Sequence, residues 1–137
     1  MILADSGPLV ALFDRKDGQH QRCVKALKAV REPIRTTVPV LTEAFHMLGP
    51  GSVGSDRLRE FVLKGGVSLW WFDSTSLPRA FELMDQYSDH PMDLAAASLI
   101  VAAETLGTRK VFTIDRKDFD AYRVRRGHRH YAIEIIP

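Results

Sequence analysis

The chain opens with MILAD and, near its other end, reads KVFTID: two short apolar runs, each closing on an aspartate. Between them lie stretches whose apolar residues recur at helical spacing. This alternation of strand and helix constrains the fold more than any other feature. Short runs that are apolar throughout suit strands buried on both faces, as in parallel sheets joined by right-handed helical crossovers. Ligands of such sheets bind beyond the carboxyl ends of the strands. If the two runs are parallel neighbours, Asp5 and Asp115 emerge at the same edge.

The pattern predicts further elements. GPLVALFD begins a helix with Pro8 in its first turn. A helix follows over 17–31, then a strand at PIRTTV and a helix at VPVLTEAFHML, with Leu41, Ala44, Phe45 and Leu48 on one stripe. LGPGSVGSD (48–56) is expected to be a helix–helix loop. VSLWWFD is expected to be a strand with both tryptophans in the core, and YAIEII to be the last strand. Helices are predicted around Leu58–Val62, over 76–87 and over 93–106, the last stopped by Gly107. The fold class is therefore α/β: a three-layer α/β/α sandwich with a mainly parallel central sheet.

With 137 residues, the chain suits a single domain spanning 1–137. Its 45% hydrophobic and 26% charged content argues against disorder. One cysteine, Cys23, cannot form an internal disulfide. No apolar run approaches membrane-spanning length, so a cytoplasmic protein without a membrane partner is expected. The net charge of +2 identifies no partner by itself.

Carboxylates gathered at one sheet edge repel each other, and their pKa values rise unless a cation compensates. Magnesium does so with few protein oxygens and leaves room for phosphate oxygens. Asp118 lies one turn beyond Asp115, and Glu43 lies off the apolar stripe of its helix. Asp93 precedes an apolar helix and reads first as its N-cap. A segment rich in arginine follows, with Arg116, Lys117, Arg125 and Arg126 as candidate nucleic-acid contacts, since phosphate contacts supply most non-specific affinity.

Four blocks in order, ADSGPLVALFDRKDGQH, VLTEAFHML, PMDLAAASLIVAAE and VFTIDRKDF, resemble the PIN domain, in particular the VapC-type toxin ribonucleases of bacterial toxin–antitoxin pairs. The resemblance spans nearly the whole chain. It implies an endoribonuclease dependent on Mg2+ or Mn2+, acting on RNA, homodimeric and held in check by a cognate antitoxin. It also implies Asp5, Glu43, Asp115 and Asp118 as catalytic acids, Asp5 and Asp115 as metal ligands, and Ser6 as support for Asp5.

The third block departs from the family pattern, which usually reads Asp-Leu-Ala-Asp-Ala. Ala96 stands where the second aspartate of that run is expected. Asp93, its helical neighbour, is a substitute from a shifted origin. A displacement of about 1 Å can cost on the order of 100-fold in rate, so the chain is expected to be impaired. Two origins are open: a substitution that makes a toxic nuclease tolerable, favoured by the intact remaining blocks, or a naturally silent member. The competing reading is a non-catalytic module that keeps RNA or antitoxin binding.

Overall fold

The computed structural model describes residues 1–137. Its elements run β1 (Ile2–Ala4), α1 (Ser6–Phe13), α2 (His20–Ala29), β2 (Ile34–Thr36), α3 (Val38–Leu48), α4 (Val53–Leu63), β3 (Ser68–Leu69), α5 (Leu77–Gln86), α6 (Leu94–Leu106), β4 (Lys110–Phe112), α7 (Arg116–Phe119), β5 (Arg123–Arg126), β6 (Arg129–Ala132) and β7 (Glu134–Ile136). Five strands form one sheet in the order β3-β2-β1-β4-β7, and every pairing in it is parallel. β1 pairs with β4 at Leu3–Val111 and Ala4–Phe112, so the two apolar runs at opposite ends of the sequence are central neighbours.

Alternation along these strands divides the core between the two faces. Leu3 and Val111 point into a large cluster built with α3, α4, α5 and α6, while Ile2 and Phe112 point the other way, onto Ala11, Leu12 and Cys23 of α1 and α2. The result is the expected three-layer sandwich. α6 is nearly all apolar and small, and eight of its residues are buried, which lets it run close beside α3 and α5.

Three local expectations need correction. VSLWWFD is strand only at Ser68–Leu69, and the chain leaves the sheet at Trp70; Trp71, expected in the core, is 71% exposed. The alternation that would have buried it ends before it is reached. The 48–56 loop is shorter than expected: Ser52 accepts a hydrogen bond from the Ser55 amide and starts α4 at Val53. YAIEII is not one strand. Tyr131 and Ala132 pair antiparallel with β5, whereas Glu134–Ile136 pairs with β4, with buried Ile133 as the junction.

Candidate active site

At the carboxyl ends of β1 and β4 the sheet opens into a cleft of about 180 Å3. Asp5, Ser6, Glu43, Asp93, Ala96, Asp115, Asp118 and Tyr122 line it. Asp5 follows β1 directly and occupies the N-cap position of α1 without a side-chain capping bond, so its carboxylate is free to face the cleft. Glu43 arrives from α3, which Thr37 caps, and the Ser6 hydroxyl donates a hydrogen bond to Glu43 Oε1. The Ser6 hydroxyl therefore holds Glu43, whereas its backbone amide bonds the Asp5 carboxylate.

Thr113, unassigned in the sequence, ties the two strand ends together. Its buried hydroxyl donates to Asp5 Oδ2 at 2.8 Å and accepts from the Asp115 amide at 3.1 Å. A threonine two residues before a strand-ending aspartate was the available signal; it was hidden because Thr is also an ordinary strand residue. Asp115 in turn accepts from the Asp118 amide at 3.1 Å and caps α7, the short helix that carries Asp118.

The electrostatics follow from this crowding. Asp5 is only 9% exposed, and burial pushes its carboxyl up to about 6. Hydrogen bonds from Thr113 and the Ser6 amide oppose the rise, while repulsion from Glu43 and Asp115 adds to it. Burial also raises Asp115, and the nearby Asp118 and Asp93 charges add to that rise. The Tyr122 hydroxyl is driven up by burial and then by the same acids. In each case burial is the largest cause, and repulsion among the gathered carboxylates adds to it.

Asp93 caps α6, accepting from the Ala96 amide at 2.8 Å. Ala96 lies in the cleft wall, where its methyl group faces the acids. This arrangement, a β1 acid and a β4 acid flanked by α3 and α6 in a parallel sheet, can be compared with known proteins. The family model of the PIN domain matches residues 2–125. The chain belongs to the PIN domain family.

Ribonuclease VapC26 of Mycobacterium tuberculosis is 26% identical to this PIN domain over 137 residues, covering 96% of this chain and 99% of the relative. Among solved structures, M. tuberculosis VapC20, described as a toxin that cleaves the sarcin–ricin loop, superposes with a TM-score of 0.83 at 16% identity over 100% of both chains. A toxin–antitoxin complex from Klebsiella pneumoniae gives 0.67 at 18% identity, covering 87% of this chain and 90% of that one. At these identities the solved structures speak for the fold.

The oxygen-only donor set suits a hard divalent ion such as magnesium. No three His, Cys, Asp or Glu side chains stand close enough together to hold an ion by themselves. Magnesium keeps several waters and binds through one or two carboxylates, so the residues present fit it in kind. The alanine at 96 withholds a further oxygen from the same wall.

The candidate basic residues separate. Arg116 and Lys117 begin α7 beside Asp115, and Arg116 donates to the Pro137 carbonyl at 3.1 Å. None of the four lines the cleft itself, and Arg125 and Arg126 lie farther from it. β5 carries them along α6 to its other end, where Arg126 donates to the Gly107 carbonyl at 2.7 Å. Their nearness to Asp115 in sequence is undone by the strand that follows Tyr122.

Proposed function

We propose that this PIN domain is an endoribonuclease of the toxin class, dependent on magnesium or manganese and weakened as it stands by alanine at 96. The carrying observation is the convergence of Asp5, Glu43, Asp115, Asp118 and Ala96 on one cleft. The names of a similar protein, a VapC ribonuclease, and of a structural neighbour, a sarcin–ricin-loop-cleaving toxin, support RNA as the substrate.

In this reading Asp5 and Asp115 hold the cation, with Thr113 fixing the orientation of both. The chemistry that magnesium or manganese supplies when bound is Lewis-acid charge at a phosphoryl oxygen and acidification of an attacking water. Glu43, steadied by the Ser6 hydroxyl, accepts the proton that the water loses. Asp118, in the same cleft, would help to orient that water. Asp93 is occupied by capping, so one of its oxygens is committed to the Ala96 amide. Arg116 and Lys117 face the phosphates that flank the scissile bond.

A cognate antitoxin and a second copy of the chain belong to the same proposal. Solved neighbours include toxin–antitoxin complexes, and Met47, 57% exposed in the cleft wall, offers an apolar seat beside the acids for an antitoxin tail. The experiment is RNA cleavage with and without magnesium, before and after Ala96→Asp. A gain on the order of 100-fold is expected from restoring the acid. No gain would overturn the erased-acid reading. RNA binding without cleavage in both proteins would favour the non-catalytic module, for which the missing carboxylate is the specific support.

A further inference from the structure

The segment Arg123–Ala132, RVRRGHRHYA, contains four arginines, two histidines and no acid. It folds as the separate antiparallel ribbon β5–β6, closed by a two-residue turn at Gly127–His128 with Gly127 at φ 62°. Glycine at the first turn position with positive φ is what a type II′ turn requires. Val124 is buried, and the Arg125 amide donates to Glu104 Oε2 at 2.7 Å, fixing the ribbon along α6. Residues 125–130 are exposed.

Most of the local acid is already engaged. Glu104 accepts two hydrogen bonds from Arg79, each at 2.9 Å, and Glu82 accepts one from Arg79 at 2.8 Å. The register places Arg126 directly opposite Arg129. Like charges facing each other across a strand pair destabilise it, and a polyanion laid over them relieves the repulsion. The ribbon also starts at the cleft, because Tyr122 lines the cleft wall and Arg123 begins β5. At about 3.3 Å per residue, Arg126 lies roughly 13 Å farther out. That distance corresponds to about four stacked nucleotides at 3.4 Å each.

We propose that the β5–β6 ribbon is a phosphate-binding rail for the RNA strand leaving the cleft. This rests on the reading that the cleft acts on RNA. Arg126 and Arg123 are partly occupied by backbone carbonyls, which leaves Arg129, His128 and His130 as forward contacts, joined by Arg125, whose 3.7 Å pairing with exposed Glu82 is long enough to exchange for phosphate. The rail makes the length of RNA beyond the scissile bond, and not its sequence, a determinant of affinity.

The test measures binding of an RNA length series by fluorescence anisotropy across a salt range, with wild type and the Arg125→Ala/Arg129→Ala double variant. Arg129 has no polar partner and Arg125 only a 3.7 Å ion pair with exposed Glu82, so the fold is expected to persist; unchanged circular dichroism verifies it. Wild-type affinity should rise as RNA extends past the cleft and level off after about four nucleotides. The double variant should lose that rise, and its log–log salt slope should fall by roughly 0.7 per lost phosphate contact. Short oligonucleotides confined to the cleft should bind both proteins equally, and Arg129→Lys should retain the wild-type slope.

Equal slopes for both proteins on long RNA would overturn the rail while leaving the nuclease reading intact. Absence of any RNA binding by the wild type would overturn both. Loss confined to polyglutamate binding would assign the ribbon to an acidic protein and overturn the rail.

Discussion

Asp5 and Asp115 share a single hydroxyl: Thr113 donates to Asp5 Oδ2 at 2.8 Å and accepts from the Asp115 amide at 3.1 Å. Two neighbouring strands are thereby locked in phase at the point where their acids meet. Thr113→Val keeps the shape and removes both bonds from a buried site. A loss of about 1–3 kcal/mol is expected from the unsatisfied Asp5 oxygen and Asp115 amide. Urea unfolding measures it. In an Ala96→Asp background the same change should depress cleavage while the far-UV spectrum stays native; full activity would mean that the strand ends hold their acids without the hydroxyl.

Stability should vary with pH through Asp5. Its carboxyl moves from 3.8 when unfolded to about 6 when folded, so the folded chain holds this proton more tightly. Between those values the native state carries more protons, and the contribution of Asp5 falls as pH rises. It is fully present below 3.8 and gone above about 6. Asn at this position does not titrate. The unfolding free energy of Asp5→Asn relative to wild type should therefore improve by on the order of 3 kcal/mol from acid to neutral pH. A difference that does not change with pH would contradict the burial of this carboxyl.

Divalent cations should offset that neutral-pH penalty. A ligand that binds only the folded state raises stability in proportion to the logarithm of its concentration once it exceeds Kd. Thermal melts at neutral pH should shift upward with magnesium in wild type and further in Ala96→Asp. Asp115→Asn should abolish the shift in both. A magnesium shift that survives Asp115→Asn would place the ion elsewhere.

Asp93 separates capping from ligation. Asp93→Ala should cost about 1 kcal/mol through the lost bond to the Ala96 amide. The magnesium-dependent melting shift should be unchanged. If the shift instead disappears, Asp93 has taken over the role of the missing acid. Asp93→Asn, which still caps, should restore stability.

The residues that were legible share one property: local sequence pattern decides their placement. Asp5 and Asp115 end apolar runs too short to be anything but strands, and Asp93 stands where a helix of small apolar residues needs a cap. The sequence did not reveal features that depend on partners distant along the chain. Trp71 sits in an aromatic cluster that looks like core, yet the strand has already left the sheet there. YAIEII looks like one continuous strand, but its halves serve two different sheets. Arg125 and Arg126 follow Asp115 closely in sequence, and only the direction of β5 removes them from the cleft. Ser6 was expected to support Asp5 with a hydrogen bond; its amide does so, while its hydroxyl goes to Glu43 on α3, a partner 37 positions away.

The central strand pair joins the start of the polypeptide to its last quarter: Thr113 and Asp5 are 108 positions apart. Contacts that distant close late, because the entropy of the intervening loop must be overcome before they form. During synthesis, Asp5 is made long before the strand that completes its surroundings. Neither acid alone defines the cleft: until Thr113 follows the long helical middle of the chain, Asp5 has no partner with which to face Asp115.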